Sequence, residues 1–208
     1  VMALETAHMR GAAIDLTVID DPKTWAKKLN GIVLPNGTVR LHEAGQISSL
    51  EGFREGKWWI QDAAAAWPGI LLGLSPGETA LDICAAPGGK SILLQSLGFK
   101  LLAIDKSQNQ IDKFEENISR LNIKMNIQKI DFLKKKFNDK FNSILLDAPC
   151  SALGTFRRNP DVTVKVDQSQ IKKHQKTQLE MVEKSLKILN KNGILVYIVC
   201  SFHPFETI

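Results

Sequence analysis

Alternating apolar and polar positions over residues 12–19, with a β-branched bias, predict a strand near the start of the chain. Asp21-Pro22 supplies an N-cap and a first-turn proline for a short helix. Trp25 and Leu29 fall on its apolar face, and Gly31 reads as its stop. Residues 32–41 read as a hairpin turning at Pro35-Asn36-Gly37. Together these predict a small α+β unit over residues 1–55. From residue 56 the pattern changes to strands alternating with helices. Strands are predicted at 57–61, 79–84, 100–104, 126–130, 143–146 and 194–199. Asp62 caps a helix after the first of these, and a second helix covers 90–97. Ser107 and Gln110 form a capping box for a third, whose stripe is Ile111, Phe114, Ile118 and Leu121. The last helix, 171–189, places Leu179, Val182, Leu186 and Leu189 on one face and is stopped by Asn192-Gly193. This alternation predicts an α/β fold, a doubly wound parallel sheet over residues 56–208.

Composition narrows the class without naming a function. The longest apolar run, residues 63–74, is broken by Pro68 and Gly69 and falls short of the ~20 residues that cross a bilayer. No signal peptide opens the chain, so a cytoplasmic protein is expected. Cys84, Cys150 and Cys200 are too few and too far apart for a disulfide framework or a zinc site, and no metal is expected. The net charge of +5 permits an anionic partner, but only six of the 27 basic residues are arginine. The run Lys134-Lys135-Lys136 reads as a solvated face.

Ligands of open α/β sheets bind beyond the carboxyl ends of the strands, so the residues there are the candidate site. The first strand of the sheet ends in Asp82-Ile83-Cys84-Ala85-Ala86-Pro87-Gly88-Gly89-Lys90, the second in Asp105 and the third in Asp131. The fourth ends in Asp147-Ala148-Pro149-Cys150 and the fifth in Cys200-Ser201. The glycine turn lacks the G-x-G-x-x-G of a dinucleotide site. It misses a P-loop by one residue, because Cys84 stands where the first glycine belongs. A nucleoside cofactor without phosphates suits it better. Gly88 and Gly89 would let the backbone approach the ligand, Asp105 would accept from ribose hydroxyls, and Asp131 from an adenine amine.

Three segments carry a resemblance to the RNA (cytosine-5)-methyltransferase family, and within it to bacterial Sun-type enzymes of small-subunit ribosomal RNA. They are 81–92, around the glycine turn; 146–162, around Pro149-Cys150; and 197–207, around Cys200-Ser201. Residues 57–66 resemble the short motif that precedes the cofactor strand in that family. The resemblance implies a Rossmann-like methyltransferase catalytic domain over residues 56–208 that binds S-adenosylmethionine, with residues 1–55 as a small RNA-binding subdomain. The loop from Cys84 through Lys90, with Asp105, Asp131 and Asp147, would contact that cofactor. Cys200 would be the nucleophile and Cys150 the assisting thiol. Val199 replaces the usual Thr before the nucleophile, and Phe205 replaces the first of two acidic residues, leaving Glu206. The family's last strands and the helical RNA-binding domain of Sun-type enzymes are not in this chain, which is therefore expected to be a fragment.

The chemistry calls for these residue types. Carbon 5 of cytosine is a poor nucleophile until a thiolate adds to carbon 6, and a free thiol is mostly protonated at neutral pH. Lys90 is a candidate for favouring the thiolate, Asp147 for holding the cytosine amine and N3, and Cys150 for assisting release. A looped or single-stranded RNA target is expected, with Arg157 and Arg158 at its phosphates, or else paired with Asp161. Trp58, Trp59 and Trp67 are read chiefly as core. A monomer is expected. Three alternatives stay open: a DNA-type methyltransferase using Cys150 as nucleophile, a non-catalytic RNA-binding module, and a P-loop NTPase.

Overall fold

The computed structural model describes residues 11–73 and 76–207; residues 1–10 of the expected first unit, and Leu74 of the apolar run, lie outside them. Two sheets organise the chain. The first is antiparallel, order β2-β3-β1-β4, from β1 (Ile14–Val18), β2 (Ile32–Val33), β3 (Val39–Leu41) and β4 (Trp58–Ile60). Helix α1 (Pro22–Lys28) packs on it, capped by Asp21, whose carboxylate accepts from the Lys23 and Thr24 N–H groups. Gly31 is not the residue that turns the chain out of α1. Asn30 takes the left-handed conformation (φ 53°), and Gly31 is small because a Cβ would sit 2.6 Å from Leu41.

The strand expected to open the βα region closes this small sheet instead, since β4 pairs antiparallel with β1. Its two tryptophans face opposite ways, as the two-residue period of a strand requires. Trp58 joins Leu16, Trp25, Val39 and Leu41 in the core of the small sheet. Trp59 packs with Ala66, Ile92, Leu93 and Leu121 of the larger layer. The layers are also tied by Arg120, whose guanidinium donates to the Phe53 and Trp58 carbonyls and lies over the Phe53 ring at 4.4 Å.

The second sheet is parallel, order β7-β6-β5-β8-β9. Its strands are β5 (Thr79–Ile83), β6 (Lys100–Asp105), β7 (Ile127–Lys129), β8 (Phe141–Asp147) and β9 (Leu189–Ile198). Helices α2 (Ala63–Leu71), α3 (Gly89–Ser96), α4 (Gln108–Arg120), the single turn α5 (Val162–Lys165) and α6 (Gln168–Lys187) accompany it. The central strands read as apolar runs because both faces are covered, with Leu81, Ile83, Ile144 and Leu146 fully buried.

Three details differ from the sequence reading. Ser107 occupies the N-cap of α4, but its side chain makes no cap bond; its own N–H donates to Asp105. The buried stripe of α6 is Ile171, Gln178, Met181 and Ser185, while Leu179 and Leu186 are exposed. Asn192-Gly193 does not stop α6. It lies inside β9, where the pairing shifts from Phe141↔Leu189 to Ser143↔Ile194 and Asn192 adopts φ 65°, as a bulge demands.

Candidate functional site

Strand order reverses between β5 and β8, and the predicted residues gather beyond the carboxyl ends of those two strands and their neighbours. The loop after β5 starts at Cys84, which takes the left-handed backbone (φ 60°) that a glycine would adopt more readily. Burial and the charges of Asp105, Asp147 and Asp82 push its thiol up to about 12, so it stays protonated.

The two glycines of the turn do different jobs. Gly88 (φ 107°) is demanded by the backbone and by the core. A Cβ there would sit 2.9 Å from Phe114 Cδ2, not in a ligand's approach. Gly89 is the one on the open side. Its Cβ would meet Trp59 and Gln61 at 3.6–3.7 Å, and all three line a cavity of about 460 Å³ between the layers.

Asp82, Lys90 and Asp147 line the same cavity. Lys90 Nζ is 2.7 Å from Asp147 Oδ2, so its charge is held by that carboxylate rather than offered to a thiol. Asp82 is wholly buried; Oδ2 accepts from the Ser91 hydroxyl at 2.6 Å. Oδ1 has no partner among the described residues, and burial, chiefly, pushes the carboxyl up to about 7. Asp105, Asp131 and Cys84 border a separate, smaller hollow. Asp105 accepts from the Ala86 and Ser107 N–H groups, and Asp131 from Leu133.

Register brings the other two cysteines together. Strands β8 and β9 are parallel neighbours with Asp147 beside Ile198, so Cys150 and Cys200 leave the same sheet edge on adjacent loops. Their sulfurs lie 3.2 Å apart. The shared bond from Cys200, helped by the Ala152 and Cys200 N–H groups, outweighs burial and draws Cys150 down to about 7. The same bond, then burial and the charges of Cys150 and Asp147, drive Cys200 upward. The bond therefore favours the thiolate on Cys150 and the proton on Cys200.

Cys200 is exposed and lines a second cavity of about 530 Å³ with Arg40, Arg157 and Arg158; Cys150 is half-buried and is not part of that lining. Arg158 pairs with Asp62, the N-cap of α2, at 2.8 Å, and Arg157 donates to the Gly11 carbonyl. Asp161 pairs with Lys165 instead of either arginine.

Residues 69–208 match the family model described as 16S rRNA methyltransferase RsmB/F. The chain belongs to that family. Among relatives of this RsmB/F chain, a probable ribosomal RNA small subunit methyltransferase B of Coxiella burnetii is 34% identical over 93% of the chain. A ribosomal RNA small subunit methyltransferase B of Cronobacter sakazakii is 38% identical over 81%. The chain spans only 46% and 40% of those two proteins. A solved methyltransferase homolog from Pyrococcus horikoshii superposes with TM-score 0.81 at 29% identity, over 98% of this chain and 69% of that one. NSun6 of the same organism, solved with SFG, superposes with TM-score 0.71 at 32% identity, over 77% of this chain and 42% of that one. The RsmB/F sheet expected from the resemblance is thus the one observed. No described helix is long and apolar enough to cross a membrane.

Sequence reading placed Asp82 at a strand end without giving it a role, and gave Glu206 none. Asp82 had a signal, an acid between Leu81 and Ile83 in a strand that is otherwise apolar. Glu206 had a fainter one, the repeated Cys-Ser pair (Cys150-Ser151 and Cys200-Ser201) that its carboxylate joins in space.

Proposed function

We propose that this chain carries the catalytic core for S-adenosylmethionine-dependent methylation of cytosine C5 in RNA, with small-subunit ribosomal RNA as substrate. The reaction runs through a bond from Cys200 Sγ to cytosine C6. The observation that carries this reading is the 3.2 Å contact between the Cys150 and Cys200 sulfurs, with Cys200 facing an arginine-lined cavity. Membership of the RsmB/F family and the likeness to NSun6 support it.

The residues suit the cofactor. The unpartnered Asp82 Oδ1 at the cavity wall calls for a donor, which an α-ammonium group would provide. Asp105 and Asp131 offer carboxylates for a ribose and an adenine amine. Bound there, S-adenosylmethionine supplies a methyl group on a cationic sulfur.

Cys200 does the first step. As its sulfur bonds to C6, its proton passes to the Cys150 thiolate and N3 of the ring takes up a proton from solvent, leaving C5 enamine-like. Asp147 accepts from the cytosine amine and keeps the ring in place. Cys150 then returns its proton to solvent. After C5 has gained its methyl group, Cys150 removes the C5 proton, the S–C6 bond breaks, and the electron pair returns to Cys200 as N3 releases its proton. The thiol pair ends, as it began, with one proton.

The acidity of Cys150 favours a second reading in which that thiolate attacks C6. Its burial weighs against it, since Cys150 is half-buried and Cys200 is exposed. The test of function is bisulfite sequencing of ribosomal RNA from a strain lacking the gene. One 5-methylcytosine should vanish, return with the wild-type gene, and stay absent with Cys200→Ala. No change in the small-subunit RNA would refute the assignment.

A further inference from the structure

Glu206 is a carboxylate in an unusual place. It is 1% exposed, yet no cation pairs with it among the described residues. Burial raises its pKa, and bonds from Ser151, Ser201 and Gln178 more than offset this, so the group is held below its ordinary value and stays ionised. Oε1 accepts from the Ser151 N–H at 2.8 Å and from Gln178 Nε2 at 3.3 Å. Oε2 accepts from the Ser151 hydroxyl at 2.5 Å and from the Ser201 hydroxyl at 2.6 Å. A buried charge persists when its acceptor capacity is filled in this way.

The donors are what give the arrangement meaning. Ser151 follows Cys150 and Ser201 follows Cys200 in the chain, so a single carboxylate holds the residue after each thiol. The two hydroxyls are also 3.0 Å from each other. Gln178, from α6, donates to Glu206 and to the Pro149 carbonyl just before Cys150, which fixes that loop from its other side. Tyr197 anchors the Glu206 carbonyl at 3.1 Å. Parallel pairing of β8 and β9 brings the loops to one edge, and the Gly154 N–H, four residues beyond Cys150, donates to the Cys200 carbonyl at 2.9 Å. A sulfur–sulfur contact also needs a restraint on the turn that directly follows each thiol.

We infer that Glu206 is the positioning residue of the two-thiol site: its buried carboxylate gathers the turns after Cys150 and Cys200 and sets the distance between their sulfurs. It lines neither the cavity around Lys90 and Asp147 nor the cavity that Cys200 lines. The inference rests on the proposed pairing of the two thiols, and it adds the residue that maintains it.

Proximity of two thiols can be read without any methyl transfer. Diamide oxidises a thiol pair to a disulfide and is itself reduced to the hydrazine, at a rate set by how often the sulfurs meet. In the full-length protein, diamide should close the Cys150–Cys200 disulfide, identified by peptide mass mapping. Glu206→Ala should slow closure at least tenfold while circular dichroism stays native. Glu206→Gln should remain within threefold of wild type. Its amide oxygen can still accept from the Ser151 N–H, and its NH₂ can donate to the two hydroxyls, so position survives without charge. In methylation assays Glu206→Ala should lower kcat at least tenfold with both KM values within twofold, and Glu206→Gln should recover most of it. If Glu206→Ala does not fold, Ser201→Ala decides, with closure slowed at least threefold. Wild-type closure rates in a folded Glu206→Ala, or in Ser201→Ala, would overturn the inference. An inactive wild type that still closes the disulfide would overturn the proposed function and leave this positioning role standing.

Discussion

Cys150 Sγ lies 3.2 Å from Cys200 Sγ, on loops that leave parallel neighbouring strands where Asp147 lies beside Ile198. That contact separates two roles that otherwise share one chemistry. In the full-length protein, Cys200→Ala is expected to form no covalent RNA adduct and to transfer no methyl group. Cys150→Ala should still attack and methylate but fail to release, accumulating as an adduct that survives denaturing gels in the presence of S-adenosylmethionine. The reverse pattern would make Cys150 the nucleophile.

The same contact sets a pH dependence. Cys150 is drawn from an ordinary value of 9.0 to about 7, first by its bond from Cys200. A lowered pKa means the thiolate persists as pH falls from 9 until about 7, and is lost below that. Iodoacetamide labelling of Cys150, followed by mass spectrometry, should therefore reach half its maximal rate near pH 7. In Cys200→Ala the half-point should move upward, since the chief cause of the lowering is gone. An unmoved half-point would show that the sulfurs do not share a proton.

The adjacent glycines should respond differently to one methyl group. Gly88→Ala places a side chain at φ 107° and against Phe114, a backbone strain of about 1–3 kcal/mol before the clash is counted. Thermal unfolding should shift down clearly. Gly89→Ala meets only ordinary contacts, so the fold should hold. Its methyl enters the cavity, and calorimetry should show S-adenosylmethionine affinity falling at least fivefold.

Arg157 and Arg158 flank Cys200 but are not equivalent, because Arg158 is already paired with Asp62. Arg157→Ala should weaken RNA binding across sequences and reduce the slope of log affinity against log salt by about 1. Arg158→Ala should reduce that slope less, as it also frees Asp62. Filter binding over a salt series distinguishes the two.

Asp15 and Arg40 face each other across β1 and β3, joined by two bonds of 2.7 Å, and Asp15 also accepts the Ala63 N–H. Burial raises the Asp15 pKa, and the Arg40 and Ala63 bonds more than offset it. Its contribution is therefore present at neutral pH and fades as pH falls below about 4. Arg40→Ala strands a buried carboxylate and should cost about 3 kcal/mol in urea unfolding at pH 7.

The chain order of apolar and polar residues determined the strands and helices, their alternation, and the list of residues at the strand ends. Each of these depends on neighbours in sequence: a period of two, a stripe on a helix, an Asp or Cys where an apolar run stops. The Pro149-Cys150 and Cys200-Ser201 segments were legible for the same reason. What sequence could not supply was distance. Trp58 and Trp59 sit side by side in the chain and belong to different cores, because only the sheet decides which face each meets. Gly88 and Gly89 read alike, and tertiary packing gives one to Phe114 and the other to a cavity. Lys90 lay open for a thiol until folding set Asp147 2.7 Å away. Glu206 acquired its four donors from three separate segments. Local pattern fixes the elements because backbone geometry is periodic. Pairing between charges, sulfurs and carboxylates depends on sheet register and loop packing, which exist only after the strands have met.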